Sequence, residues 1–235
     1  NVGFRRNGVS TDDDKPTGAI SDRAGSATSA VFARWLTTIW LTVATVLGLI
    51  TVCRWFAFIH QLRRSRCAPH PALEELTTRL ARKLGLRKSI RVLVTSSRVG
   101  PAVVGLLRPM IVLPQVIVEG KKLAELEPIL VHELLHVRRG DLWISLAQTV
   151  AQSLWWFHPL VWWAGRLINR ESERSCDEEA IAELRCEPAR YARTLLDVLE
   201  CKHRLRAAPA CPGVRPVDVT SSRLERIMKL GHGCH

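Results

Sequence analysis

Residues 131–137, V-H-E-L-L-H-V, contain two histidines four positions apart and a glutamate directly after the first of them. On an α-helix this spacing places His132 and His136 one turn apart on the same face, where both imidazoles can bind one metal ion. Glu133 can reach a water at that metal without binding the metal itself. The residue types and their spacing therefore predict a zinc-peptidase site in which Glu133 is the general base.

The residues around this motif predict a short helix with a defined start and end. Pro128 suits the first turn of a helix, and Gly140 suits the position where a helix stops. Acidic residues near the start and basic residues near the end match the helix dipole; they are Glu125, Glu127, Arg138 and Arg139. The alternative is an amphipathic core helix with two incidental histidines, because apolar residues surround the pair.

A catalytic zinc ion needs a third protein ligand and an open position for water, and a later acidic segment is the best source of that ligand. Glu173 and Asp177 lie four positions apart within R-E-S-E-R-S-C-D-E at residues 170–178, so both carboxylates can share one helix face. Glu173 would bind zinc, and Asp177 would orient an imidazole N–H from behind. The alternative is a solvated acidic helix face.

Several segments, taken in order, resemble the BlaR/MecR-type membrane zinc peptidases. The main ones are H-E-L-L-H-V-R-R-G-D at 132–141, W-W-F-H-P-L-V-W-W at 155–163 and R-E-S-E-R-S-C-D at 170–177. Further matches are P-A-V-V-G-L-L-R-P-M-I-V-L-P at 101–114, Y-A at 191–192 and L-E-R-I at 224–227. The resemblance covers residues 92–230 and implies that Glu173 is the third zinc ligand, with Asp177 behind it.

The fold class that we expect is α+β and mostly helical: a zincin-like (gluzincin) peptidase domain with a small sheet, attached to a transmembrane helix. Residues 90–95, 102–104 and 110–113 read as strands of a small antiparallel sheet. The resemblance implies that an edge strand beside the zinc helix holds an extended substrate by strand addition. Its candidate residues are Ala102, Val103 and Val104; the alternative is an ordinary core strand.

Residues 35–53 carry no charge, and 19 residues are enough to cross a bilayer as a helix. The alternative is a buried core helix. Arginines after this segment favour a cytoplasmic location for the downstream part. Its basic flank and the net charge of +12 suit contact with anionic lipid headgroups. Direct nucleic-acid binding is not expected, because no recognition helix, zinc-finger spacing or aromatic RNA-binding motif occurs.

Residues 142–167 form a second apolar segment, which His158 and Pro159 interrupt. Since a proline breaks a straight span, we expect a helical hairpin that turns near residues 157–159 and dips into the membrane interface, where tryptophan is enriched. Its second arm would bring Glu173 back beside the histidines. A second transmembrane segment is the alternative, and His158 is expected to be structural rather than a ligand.

These observations predict the domain organisation. We expect a disordered tail at 1–29, a transmembrane helix with a basic flank at 30–62, a zinc metallopeptidase domain at 68–205 with an interfacial hairpin at 141–185, and a linker with a short helix at 206–235. The seven cysteines are irregularly spaced and form no C-x-x-C, which argues against a disulfide scaffold and for a reducing compartment.

The function that we expect is a membrane-anchored zinc endopeptidase whose catalytic domain faces the cytoplasm. The resemblance implies cleavage of a cytosolic repressor in signal transduction. No S-x-x-K occurs, so the acylated-serine chemistry of an antibiotic sensor is not supported for this chain. One alternative is a membrane-bound signalling module with structural zinc, for which Cys176 would be the fourth ligand. Another is a membrane-associated DNA-binding regulator.

Overall fold

A long helix, α1 (Gly18–Arg64), contains the apolar segment near the start of the chain. The structure, a computed structural model, describes residues 18–87, 89–97, 99–119, 121–202, 214–216 and 221–232. The chain divides into two compact units, residues 1–43 and 44–235, and α1 contributes to both. Residues 1–17 of the expected tail lie outside the described residues, and α1 begins at Gly18, within the rest of that segment.

The sheet has four strands: β1 (Arg91–Thr95), β2 (Ala102–Val104), β3 (Met110–Pro114) and β4 (Val214–Pro216). Their order is β1-β3-β2-β4. β2 is antiparallel to both of its neighbours, but β1 is parallel to β3, with Arg91 opposite Met110. The expectation of an antiparallel sheet is therefore wrong for this pair. The sequence pattern marks where strands lie, whereas the pairing of β1 with β3 depends on how the chain between them folds.

Strand β2 lies inside the sheet, so the prediction that Ala102, Val103 and Val104 form an edge strand is wrong. β3 pairs along one side and β4 along the other, where Val103 lies opposite Arg215. The segment that supplies β4 was expected to be a linker because it contains prolines. A peptide could add to this side of β2 only after β4 separated from it. Substrate binding by residues 102–104 therefore remains a prediction, and it requires that separation.

Seven further helices follow α1 in the described part of the chain. They are α2 (Pro71–Lys83), α3 (Gln115–Val118), α4 (Leu123–Arg139), α5 (Asp141–Leu154), α6 (Pro159–Leu184), α7 (Pro188–Lys202) and α8 (Ser221–His232). Helix α4 carries the histidine pair. It begins five residues before Pro128, so the prediction of a first-turn proline is wrong and Pro128 lies inside the helix. Gly140, with φ of +72°, ends α4 as expected.

The main apolar core surrounds α4. Leu130, Leu134 and Leu135 are fully buried and pack with apolar residues of α2, the sheet, α6 and α7. A second cluster lies where the end of α1 meets the sheet, and it includes Phe58 and Leu62. The core therefore fixes the histidine pair on a helix that is buried on nearly every side.

Helix α1 also contains the candidate membrane span. Ser29–Arg64 is 36 residues long, has a mean hydropathy of 2.0 in its most apolar window, and that window is not buried inside the protein. Length and composition alone make it able to cross a membrane. Phe58 and Leu62 are buried in the second cluster, and Trp55 packs against it, so the last turns of α1 contact protein.

Helices α5 and α6 form the expected hairpin, which turns at residues 155–158. The Trp162 indole donates a hydrogen bond to the Trp156 carbonyl (2.9 Å), and Gln148 donates to the Gly165 carbonyl (3.4 Å). Large apolar side chains near the turn are nevertheless exposed; they are Trp155, Phe157, Leu160, Trp162 and Trp163. Beyond this apolar part, α6 continues into the polar segment that carries Glu173 and Asp177.

Candidate metal centre

Helices α4 and α6 bring the three expected metal ligands together. Nε2 of His132 lies 3.1 Å from Nε2 of His136. Each of these nitrogens also lies 3.4 Å from a carboxylate oxygen of Glu173. The two histidines are buried, and the Glu173 side chain is 13% exposed. Residues up to 41 positions apart in the sequence thus form one cluster, in which a ligand atom from each lies within 4.8 Å of the others.

The spacing of these donors fits a tetrahedral zinc ion. Zinc–ligand bonds of about 2.0–2.1 Å at tetrahedral angles separate neighbouring donors by about 3.3–3.4 Å. The 3.1 Å between the two nitrogens and the 3.4 Å from each nitrogen to a Glu173 oxygen are close to that separation; His132 is nearest Oε2 and His136 is nearest Oε1. Two imidazoles and one carboxylate are also the donor set of many catalytic zinc sites, in which the fourth position stays open.

The charge environment keeps Glu173 ionised. Burial alone would raise the pKa of its carboxyl group, but the hydrogen bond with His132 and the charges of His136, His132 and Arg223 together hold that pKa well below its usual range. An ionised carboxylate is the form that binds a metal. Since Asp177 and Glu133 are buried nearby on the same two helices, the formal charge of the region is negative, and a divalent cation would offset it.

His136 is oriented by Asp141, a residue for which no role was predicted. Its Nδ1 lies 2.7 Å from Oδ2 of Asp141, which also accepts a 2.6 Å hydrogen bond from the Ser172 hydroxyl. With Nδ1–H donating to the carboxylate, the lone pair of Nε2 is directed at the metal position. The left-handed conformation of Gly140 ends α4 and allows α5 to begin at the next residue, which places Asp141 beside His136 in the last turn of α4.

Cys176 contacts the same ring nitrogen of His136 as Asp141 does. Its sulfur is 3.3 Å from Nδ1 of His136 and 3.9 Å from Oδ2 of Asp141. These three residues are close enough to form a cluster of their own. However, Cys176 contacts the nitrogen that faces away from His132 and Glu173, so it is not placed to be a fourth ligand in their cluster. Cys53, Cys67 and Cys186 are free thiols.

His132 is oriented by Tyr191 of α7 together with Asp177. The Tyr191 hydroxyl donates a 2.9 Å hydrogen bond to Oδ1 of Asp177 and lies 3.2 Å from Nδ1 of His132. This arrangement assigns the proton of the imidazole to Nδ1 and leaves Nε2 as the metal-facing atom. Burial and the charge of Asp177 raise the pKa of Tyr191 well above its usual value, so the hydroxyl stays protonated.

Side chains on two adjacent faces of helix α6 contact both histidines. Ser172 and Cys176, one turn apart, lie on the side of His136. Asp177 lies on the side of His132, and Glu173, one turn before it, is 3.4 Å from Nε2 of both histidines. Asp177 is therefore near an imidazole Nδ1 (3.4 Å), where the expected orienting role requires it. Of these four residues, only Ser172 had no predicted role, and Cys176 was expected only as the fourth ligand of a structural site.

Arg223 of α8 is the other unexpected residue of the site. Its guanidinium contacts both Asp177 and Glu173 and lies 3.2 Å from Nε2 of His132. Burial alone would lower its pKa, but the hydrogen bond and charge of Asp177 and the charge of Glu173 raise it above the usual value. In the sequence, Tyr191 belongs to the matched segment Y-A, and Arg223 directly precedes the matched segment L-E-R-I. These positions were the only indication that either residue could belong to the site.

Glu133 was predicted to be the general base, and His158 was predicted to be structural rather than a ligand. Glu133 is completely buried on α4, directly after the first histidine, in the position expected for a general base. His158 precedes the first residue of α6 at the hairpin turn, and neither cluster of potential metal ligands among the described residues includes it. The structure therefore brings together His132, His136, Glu173 and Asp177, with Glu133 buried on α4 next to His132 in the sequence, and His158 lies outside both clusters found among the described residues.

Comparison with known proteins identifies the family. Over 120 residues the chain is 32% identical to the methicillin resistance mecR1 protein of Staphylococcus aureus, a match that covers 50% of this chain and 20% of that protein. Over 77 residues it is 36% identical to the regulatory protein BlaR1 of Bacillus licheniformis, covering 33% of this chain and 13% of that protein. The chain thus matches about a fifth or less of these relatives.

A family model described as BlaR1 peptidase M56 matches residues 10–230, nearly the whole chain. This match confirms the resemblance drawn from the motifs, and it agrees with the mostly helical, zincin-like fold with a small sheet. The chain belongs to the BlaR1-type M56 peptidase family.

Proposed function

We propose that this chain is a membrane-anchored zinc endopeptidase that cleaves a cytosolic regulatory protein, such as a transcriptional repressor. The observation that carries the proposal is the convergence of His132, His136 and Glu173, with Glu133 buried on the same helix as the two histidines. Membership of a peptidase family supports the reaction class. Zinc, the endopeptidase activity and the substrate belong to the proposal.

The chain's own residues support peptide hydrolysis in distinct ways. A zinc ion bound by the three ligands would supply a Lewis acid that lowers the pKa of a water molecule and polarises the peptide carbonyl. Glu133 takes the proton from the attacking water and passes it to the leaving amine. Asp141 and Tyr191 hold the imidazoles so that both Nε2 atoms are available as ligands. The buried surroundings strengthen these electrostatic interactions.

The role of Glu133 can be tested by replacing it with glutamine. We expect Glu133→Gln to keep its zinc but to lower the rate of cleavage of a mixture of fluorogenic peptides by about 10²–10⁴-fold, the usual contribution of a general base. Glu125→Gln is a matched control, because Glu125 lies on the same helix but is exposed. A Glu133→Gln variant with wild-type activity would show that another group is the base.

The proposed role in signalling comes from the relatives. One of them is named a regulatory protein and another a methicillin resistance protein. Since this chain corresponds to a fifth or less of their lengths, their names support a signalling peptidase without defining what this chain senses. Cleavage of a repressor would connect peptidase activity to transcription without requiring the chain itself to bind DNA.

The proposed location is the cell membrane, with the catalytic domain in the cytoplasm. The apolar part of α1 supports anchoring, and Arg63 and Arg64 in its last turn support the orientation under the positive-inside rule. We further propose that the exposed aromatic tip of the α5–α6 hairpin lies in the membrane interface. An environment-sensitive fluorophore at residue 157 should then report an apolar environment in nanodiscs, whereas the same label at exposed residue 171 should report water.

A structural zinc site in a non-proteolytic module is the second candidate. Such a site would need a fourth protein ligand, for which Cys176 was the candidate. The contact of its sulfur with Nδ1 of His136, on the outer side of the ring, does not favour this role. The geometry therefore supports an open, catalytic type of site better than a closed structural one.

A further inference from the structure

Helix α8 places a buried arginine next to the candidate metal ligands. Arg223 is only 2% exposed, although arginine is among the residues least often buried. It lies in the first turn of α8 and is 91 positions from His132 in the sequence. One turn later, Ile227 is 1% exposed and packs into the main core. The helix is therefore fixed by both an apolar and a polar contact.

All three guanidinium nitrogens of Arg223 are engaged with carboxylates. Nε and Nη2 each lie 2.6 Å from a different oxygen of Asp177, and Nη1 lies 2.9 Å from Oε2 of Glu173. The planar shape of the guanidinium makes these directed contacts, which a lysine ammonium cannot reproduce. Because Glu173 and Asp177 are one turn apart on α6, a single side chain fixes the two carboxylates relative to each other.

We propose that Arg223 is a positioning residue of the metal centre, and that helix α8 thereby forms part of the site. By holding Oε2 of Glu173, Arg223 determines how this carboxylate is presented to the metal. By holding Asp177, it also fixes the partner of Tyr191 and His132. The inference deepens the proposed function and rests on it, because it assumes that Glu173 is a metal ligand.

The positive charge of Arg223 has an opposite effect, which must be separated from positioning. Nη2 lies 3.2 Å from Nε2 of His132, so the guanidinium would repel a nearby cation while it aligns the ligands. A variant without the positive charge of Arg223 would lose both the alignment of the ligands and the repulsion of the cation, so the two effects could not be separated. Arg223→Lys keeps the charge and removes the directed fork, so a loss of metal affinity in this variant reports positioning alone.

The test is zinc affinity, measured on the full chain in detergent by competition with a chromophoric chelator. Residues that orient metal ligands typically contribute about 10–100-fold to metal affinity, so we expect Arg223→Lys to bind zinc about 10–100-fold more weakly than wild type. Arg226→Lys on the same helix is the matched control and should stay within about twofold of wild type, as expected where no ligand is held. The visible spectrum of bound Co²⁺ should change in Arg223→Lys and not in the control.

Three outcomes would overturn the inference. Unchanged or tighter zinc binding in Arg223→Lys would show that the fork does not position the ligands. If Arg223→Lys lowers affinity in wild type but has no effect in an Asp177→Asn background, Arg223 acts through Asp177 alone and does not hold Glu173. A wild type that binds no zinc removes the proposed function, and the inference with it. The Asp177→Asn background also leaves no unpaired carboxylate at 177, so the comparison remains usable if Arg223→Lys alone folds poorly.

Discussion

Replacement of Asp141 provides a quantitative test of how the metal centre is organised. Asp141 is 1% exposed, and its Oδ2 accepts hydrogen bonds from both His136 and Ser172. Asp141→Ala removes this acceptor and leaves the Nδ1–H of His136 buried beside the weakly accepting sulfur of Cys176. The imidazole can then rotate or take the other tautomer, in which the proton occupies the metal-facing Nε2.

The expected magnitude follows from the type of hydrogen bond that is lost. A 2.7 Å hydrogen bond to a carboxylate is charge-assisted, and such bonds contribute about 1.5–3 kcal/mol to stability or binding. That energy corresponds to a decrease in zinc affinity of about 10- to 150-fold. Asp141→Asn should cost less than Asp141→Ala, because an amide oxygen still accepts the hydrogen bond but lacks the charge. Asp141→Ala should also lower the stability of the metal-free protein by about 1–3 kcal/mol, since the buried Nδ1–H of His136 and the Ser172 hydroxyl both lose their acceptor.

Zinc affinity by chelator competition and thermal unfolding in the presence of a chelator measure the two effects separately. Asp197→Ala is the control, because this carboxylate is 53% exposed and pairs only with Lys121 among the described ion pairs. It should change neither quantity appreciably. If Asp141→Ala bound zinc as tightly as the control, the orientation of His136 by Asp141 would be refuted, whatever happened to thermal stability.

Two further predictions concern the turn after β2 and the pH dependence of stability. Gly105→Ala should lower the free energy of unfolding by about 1–3 kcal/mol in urea, because φ is +98° and an added Cβ would lie 2.6 Å from the Arg108 carbonyl oxygen; Gly100→Ala, which meets nothing within 4 Å, should have little effect, and equal losses would contradict the reasoning. Since the folded protein holds the pKa of Glu173 below its usual value of 4.5, the stability that it contributes is complete above that pH and is lost as the pH falls below it. The difference in unfolding free energy between wild type and Glu173→Gln, measured with a chelator, should therefore shrink as the pH falls below 4.5; a difference that is the same at pH 5 and pH 3 would contradict the reasoning.

The local features of the site were accessible from the sequence because they depend on helix periodicity. The spacing of His132 and His136 on one helix, and of Glu173 and Asp177 on another, determines which side chains share a face. The family resemblance then indicated that these two helices contribute ligands to the same metal site. Gly140 as a helix end and the turn of the hairpin at a proline follow from single-residue conformational preferences.

The features that could not be predicted depend on contacts between distant segments. The parallel pairing of β1 with β3 is not contained in the alternation of either strand. β4 consists of three residues in a proline-containing segment, and its pairing partner, β2, lies more than 100 positions away. Nothing in the local sequence distinguishes Arg223 from a surface arginine, because its partners Glu173 and Asp177 are on α6. Asp141 can orient His136 because α5 begins directly after the end of α4.

The central claim is that two distant motifs form one zinc site, and elemental analysis of detergent-purified protein tests it most directly. Wild type should contain one zinc ion per chain, and Glu173→Ala should contain much less. Glu171→Ala, an exposed neighbour on the same helix, should keep the wild-type content. No zinc in metal-replete wild type would contradict the metallopeptidase account, and full zinc content in Glu173→Ala would show that the third ligand is a different residue.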